Sequence, residues 1–268
     1  MDLPILQSSA IPPSTVDLLR HAHKLLREWS SAVGEVEEID AGVAIINPAT
    51  PDVAEANALL DAIIHRDQSA EDVVAAVDAH FAARSSSCKR WVFNPSIEPE
   101  ISSPVTDVLT ANGFVRRTTP ILYAPLGSLW SSAATLSQNV MILPSRAAYT
   151  AYSRFAEQIA TSPQHASAMV AHLDDPRYDA MLAMRDSQTI AHAGVLAVGD
   201  MGLLAGFSST EEIQDSSLAD VLLDRAIDYC RRSQFKHVFA TGESDISRLI
   251  DRGFTVVGDY IEFVRTNG

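Results

Sequence analysis

The chain predicts an α+β fold made of two tandem domains, each a mixed, mostly antiparallel sheet flanked by helices. Three observations lead there. Residues 72–93 (DVVAAVDAHFAARSSSCKRWVF) and 220–239 (DVLLDRAIDYCRRSQFKHVF) each read as a helix running into a short apolar strand. Each is followed by an amphipathic stretch ending in Gly-Phe, at Gly113-Phe114 and Gly253-Phe254, and then by another apolar strand. Between them, residues 178–208 hold three strand-like segments joined by short turns, the connection antiparallel neighbours use. A repeated order marks a duplicated unit. The expected domains are 1–125 and 140–268, with a linker at 126–139, where periodicity fades and small polar residues gather.

The elements follow in order. Pro12-Pro13-Ser14 marks a helix start with Ser14 as N-cap. Val16, Leu18, Leu19, Ala22, Leu25, Leu26 and Trp29 then recur at helical spacing. Glu35 to Asp40 and Gly42 to Ile46 read as strands, the second ended by Asn47-Pro48. Residues 52–65 predict a helix, with Val53, Ala56, Leu59, Leu60 and Ile63 on one face. A helix over 70–84 leads to a strand at Arg90 to Phe93, a helix over 104–112 and a strand ending near Tyr123. In the second half, Val140 to Leu143 is a strand, and helices run from Ser145 to about Ala160 and from Pro163 to Leu173. Strands follow at 178–185, 190–198 and 202–208, then a helix (217–232), a strand (236–241), a short helix (244–251) and a final strand (254–265).

Composition narrows the function. Hydrophobic residues make up 47%, enough for packed cores. The formal charge of −14 repels phosphate backbones, so no nucleic-acid partner is expected; it suits a cationic substrate or a solvated acidic surface. The two cysteines, Cys88 and Cys230, form neither a disulfide framework nor a zinc motif, and a cytoplasmic setting is the default. The N-terminal MDLPILQSSAIPPS lacks a signal-peptide pattern, and the longest apolar run, Ala193 to Phe207, is broken by Asp200 and too short to span a bilayer, so no membrane partner is expected. No metal site, Walker loop, nucleophile elbow or dinucleotide-binding glycine signature is present.

The order β-α-α-β-β-β-α-β-α-β over residues 140–268, with its spacings, resembles the GNAT superfamily of acyl-CoA-dependent N-acyltransferases. Residues 14–125 resemble it more faintly, as a worn copy. The resemblance implies acetyl-CoA as acyl donor and a small-molecule or protein amine as acceptor, joined by direct attack in a ternary complex; a homodimer stays open. It implies that the strand at 202–208 splays from its neighbour, leaving backbone groups of Leu203, Leu204 and Ala205 free for the pantetheine arm. The amides opening the next helix would then hold the pyrophosphate. The family's loop, Gln/Arg-x-x-Gly-x-Gly/Ala, corresponds to Gln214-Asp215-Ser216-Ser217-Leu218-Ala219. Gln214 and Ala219 match; Ser217 replaces the central glycine and Asp215 adds a negative charge.

The family's proton donor, a tyrosine four residues before Gly-Phe, corresponds here to Leu249. An acid must therefore come from elsewhere: Tyr260, Ser244 or water. Candidates for the base are Asp200, Glu211, Glu212 and His192, each with a plainer reading: a turn aspartate, a solvated acidic pair and a core histidine. The first half is expected to be structural and to shape one wall of the cleft. The alternative to an enzyme is an inactive relative kept as a ligand-binding or protein-interaction module.

Overall fold

The computed structural model describes residues 12–65, 68–97, 103–132, 134–135, 139–210, 216–242 and 246–265. The first half holds α1 (Thr15–Ser30), β1 (Glu35–Ile39), β2 (Gly42–Ile46), β3 (Ala58–Leu60), α2 (Ala70–Ala83), β4 (Arg90–Phe93), α3 (Ser103–Ala111) and β5 (Phe114–Pro125). The second holds β6 (Val140–Pro144), α4 (Tyr149–Ile159), α5 (Pro163–Ala171), β7 (Tyr178–Arg185), β8 (Gln188–Val198), β9 (Met201–Ser209), α6 (Ser216–Arg232), β10 (His237–Thr241), α7 (Ile246–Asp251) and β11 (Thr255–Arg265).

All eleven strands lie in one mixed sheet, in the order β1-β2-β3-β4-β11-β5-β10-β9-β8-β7-β6. Two pairs are parallel: β3 with β4 across α2, and β9 with β10 across α6. The rest are antiparallel. The centre of the sheet crosses the two halves of the chain. The last strand, β11, sits between β4 and β5, and β5 sits between β11 and β10. Each half thus completes the sheet of the other, and the long β5–β11 pairing from Thr255↔Tyr123 to Arg265↔Phe114 is the seam.

Helices cover both faces. On one, α1 packs across the seam against β5, β8 and β11. Its Leu18, Ala22 and Leu25 join Tyr152, Phe155, Tyr178 and Leu196 in one continuous core. The opposite face has separate cores, two of them large. One lies under α2 and α3, around Phe81, Trp91, Leu109 and Phe114. The other lies under α6 and α7, around Leu223, Ile227, Phe235 and Phe254. Ser14, Ser69 and Ser162 cap α1, α2 and α5 by accepting backbone N–H bonds. Gly113 (φ +82°) and Gly253 (φ +98°) close α3 and α7 in the left-handed region, which explains the repeated Gly-Phe.

One expected element is corrected. Residues 52–65 are not a helix: turns lead to β3, where Ala58, Leu59 and Leu60 are all buried between β2 and β4. Their alternative helical spacing loses to sheet pairing on both edges. Asn57 fixes the approach: its amide donates to the Thr50 and Val53 carbonyls, and its side-chain oxygen accepts from the Asn47 N–H. Asp61, at φ +50°, then rules out a continuing helix.

Candidate functional site

The parallel pair β9–β10 opens partway along. Its register runs from Met201↔His237 to Leu204↔Ala240 and stops, while β9 continues to Ser209. Past Leu204, β9 has no strand on its β10 side. On its other side the β8–β9 register slips between His192 and Gly194, a β-bulge that carries Gly206 at φ +68°.

Buried groups hold that bulge. His192 is buried on β8; its Nδ1 is bonded to the Gly206 carbonyl, and its Nε2 lies 3.2 Å from the Tyr178 hydroxyl. Burial lowers its pKa to about 4, so the ring is neutral, with Nδ1–H donating and Nε2 accepting. A Cβ on Gly206 would collide with the Tyr178 hydroxyl and come within 2.6 Å of His192 Cε1. His192 is therefore a buried histidine that shapes the strand.

The opening forms a cavity of about 250 Å³. Leu203 to Phe207 of β9 line one wall, and Ala240 and Thr241 of β10 another. Ala219 and Leu223 of α6, Arg248 and Leu249 of α7, Tyr260 of β11, and Leu26 and Trp29 of α1 complete it. Leu249, where the resemblance places the proton donor, does face this space and is apolar. Tyr260 lines it too. Its hydroxyl is buried without a hydrogen-bond partner. Burial pushes its pKa up, despite the nearby Arg90, so the phenol keeps its proton. Beside it lies His23, with ring centroids 6.1 Å apart and Nε2 3.0 Å from Asp61 Oδ1.

The other expected site residues divide. Leu203, Leu204, Ala205 and Ala219 line the cavity. Leu218 does not: its side chain packs with Ala183, Ile190 and Leu222 in the core. Ser217 is half-buried at the start of α6, and the side chain of Ser216 is not described. Glu211, Glu212, Gln214, Asp215 and Ser244 lie outside the described residues. Asp200 does not line the cavity. It sits in the β8–β9 turn, at the far end of β9 from the bulge, with Lys236 Nζ at 3.0 Å. That ammonium holds its carboxyl below the usual range, as suits a surface ion pair. Among the described residues no cluster fit for a metal ion is present, and no helix is long and apolar enough to cross a membrane.

A second cavity of about 370 Å³ meets the first at Trp29, Gly206 and Phe207. Glu55, Tyr152, Met169, His172 and Tyr178 help to line it. His172 stacks on Trp29, with centroids 3.6 Å apart and planes at 12°. Its Nε2 is buried without a hydrogen-bond partner, 3.7 Å from Glu55 Oε2. Burial pushes the Glu55 carboxyl up; His172, Arg90 and Trp29 outweigh it and leave the group below the usual range. Sequence reading missed Glu55 because its segment was expected to be helical, and missed His172 because it ends a helix without any motif.

No family model matches the chain, and no curated protein does. Solved structures do. A functionally unknown conserved protein from Staphylococcus epidermidis superposes with a TM-score of 0.64 at 14% identity, over 88% of this chain and 95% of that one. A GCN5-related N-acetyltransferase from Kribbella flavida gives 0.61 at 14% identity, over 94% and 96%. A tandem GNAT protein from the clavulanic acid biosynthesis pathway gives 0.51 at 14% identity, over 79% and 75%. The chain therefore shares the fold of the GCN5-related N-acetyltransferases.

Proposed function

We propose that the protein is an acyl-CoA-dependent N-acyltransferase, taking an acetyl group from acetyl-CoA to an amine, with its site in the β9–β10 opening. The observation that carries this reading is the pairing of the opening with the unpartnered Tyr260 hydroxyl, inside a fold shared with such enzymes. The residues fit an acyl-CoA. Edge backbone past Leu204 offers hydrogen bonds to an extended polar arm, and the cavity walls suit its apolar parts. The first amides of α6 suit its phosphates. Bound acetyl-CoA would supply an activated thioester. Within the cavity, backbone N–H groups at Leu204 or Ala205 can polarise a carbonyl, and Tyr260 holds a proton at its hydroxyl for a leaving group. Tyr260 thereby takes the part that Leu249 cannot.

The duplication belongs to the same proposal: residues 1–125 and 140–268 are two copies of one unit, joined by 126–139, with their last strands exchanged. Matching crossovers, β3-α2-β4 and β9-α6-β10, support it. A thermal-shift titration with acetyl-CoA and with CoA tests the function. A rise in melting temperature with at least one is expected; no rise with either at millimolar ligand would overturn the proposal. The departures at Leu249 and Ser217 favour a second reading, an inactive binding module. Binding of acetyl-CoA without turnover of any amine would select it.

A further inference from the structure

The second cavity has the chemistry of an ammonium site. Its described lining includes no lysine or arginine. The Glu55 carboxylate, partly exposed, and the buried His172 Nε2 stand 3.7 Å apart, too far for a direct hydrogen bond. The His172 ring is fixed by its stack on Trp29, and its Nε2 has no hydrogen-bond partner among the described residues. Leaving such an atom buried and unpaired is costly unless something satisfies it. The rest of the lining mixes aromatic and apolar side chains, among them Trp29, Met169 and the exposed ring of Phe207, with the polar His165, His192, Ser208 and Ser209.

We infer that this cavity is the acceptor subsite, that it takes a primary ammonium carried on a small apolar or aromatic body, and that Glu55 and His172 hold the charge between them. The site is built from both halves: Trp29 and Glu55 come from the first, His172 and Phe207 from the second. The worn half thus contributes binding residues as well as a wall. The ammonium donates one hydrogen bond to the carboxylate and one to the imidazole Nε2, and aromatic faces nearby favour a cation. Phe207, shared by the two cavities, lies where acceptor and acyl donor would meet. The inference deepens the transferase reading and rests on it for the assignment as acceptor; the binding itself is measurable without acetyl-CoA.

Isothermal titration of the full chain with 2-phenylethylamine and with the uncharged 2-phenylethanol tests it, with no CoA present. The amine is expected to bind about tenfold tighter or more. Glu55→Gln is expected to erase that preference while keeping the wild-type thermal response to CoA. His172→Gln, measured alongside, should weaken the amine similarly, so that misfolding of one variant leaves the other to decide. Equal binding of amine and alcohol overturns the inference. So does failure of both to bind at millimolar concentration, or a preference that survives in a folded Glu55→Gln. A CoA response that persists in any of these cases leaves the transferase proposal standing and removes only the acceptor site.

Discussion

The two parallel crossovers, β3–β4 and β9–β10, share a topology and differ in one respect: the second opens and the first stays closed. In the first half, pairing at Ala58↔Arg90 and Leu59↔Trp91 continues when the Ala62 N–H donates to the Val92 carbonyl. The Asn94 side chain then donates to Asp61 Oδ1 at 2.7 Å, and the Ile63 N–H donates to Ala41 on the other side. Asp61 has a positive φ, as Gly206 has, yet its carboxylate ties the strands together. In the second half, the strand pairing ends at Leu204, and His192 holds the bulged Gly206 instead. Whether such a crossover opens thus depends on where hydrogen bonding between its two parallel strands stops, and in the first half a single Asp–Asn bond helps to keep it closed.

The comparison can be broken most severely at Gly206. Gly206→Val forces a side chain against Tyr178 and His192 at a backbone angle that β-branched residues avoid. A loss of about 3 kcal/mol or more in urea unfolding is expected, with loss of the thermal response to CoA. Full stability and binding in that variant would show that the bulge is not required.

The next effect is a pH dependence. His192 has a folded pKa of about 4 against an ordinary 6.5, so the unfolded chain binds its proton first as pH falls. Its contribution is fully present above about pH 6.5 and is lost as pH falls toward about 4, amounting to about 3 kcal/mol. His192→Gln should flatten that part of the stability profile. An unchanged slope would mean that other groups produce it.

Tyr260→Phe removes a buried hydroxyl that has no partner. Stability should stay within about 1 kcal/mol of wild type or rise slightly, and CoA should still bind. Turnover of an accepted amine should fall about tenfold or more. Unchanged turnover would take the proton donor away from Tyr260. The smallest effect is expected in the closed crossover. Asn94→Ala deletes the bond to Asp61 and should cost about 1 kcal/mol; the response to CoA should not change. A weakened CoA response there would bring the first half into the donor site.

Much of the second half was legible. The strands 178–185, 190–198 and 202–208 emerge within two residues of their expected bounds, because turn residues and apolar runs coincide. The cavity strand, Leu203 to Ala205, was legible through the resemblance. Other features were not, each for a physical reason. Leu59 and Leu60 fit a helical face as well as a doubly buried strand, and only the partners β2 and β4 decide. The placing of β11 between β4 and β5 is a choice between two similar apolar strands that no local signal makes. Asp200 lies at the end of β9 away from the opening, a placement that only the strand's course decides. Glu55 and His172 meet only through the tertiary fold, 117 positions apart in the chain (172 minus 55).

Hydrogen–deuterium exchange with and without acetyl-CoA tests the unequal crossovers most directly. The account predicts slowed exchange at Leu203–Phe207 and in the first turn of α6, and no change at Ala58–Ala62 or the first turn of α2. Protection confined to the first-half crossover, or none in either, would contradict it.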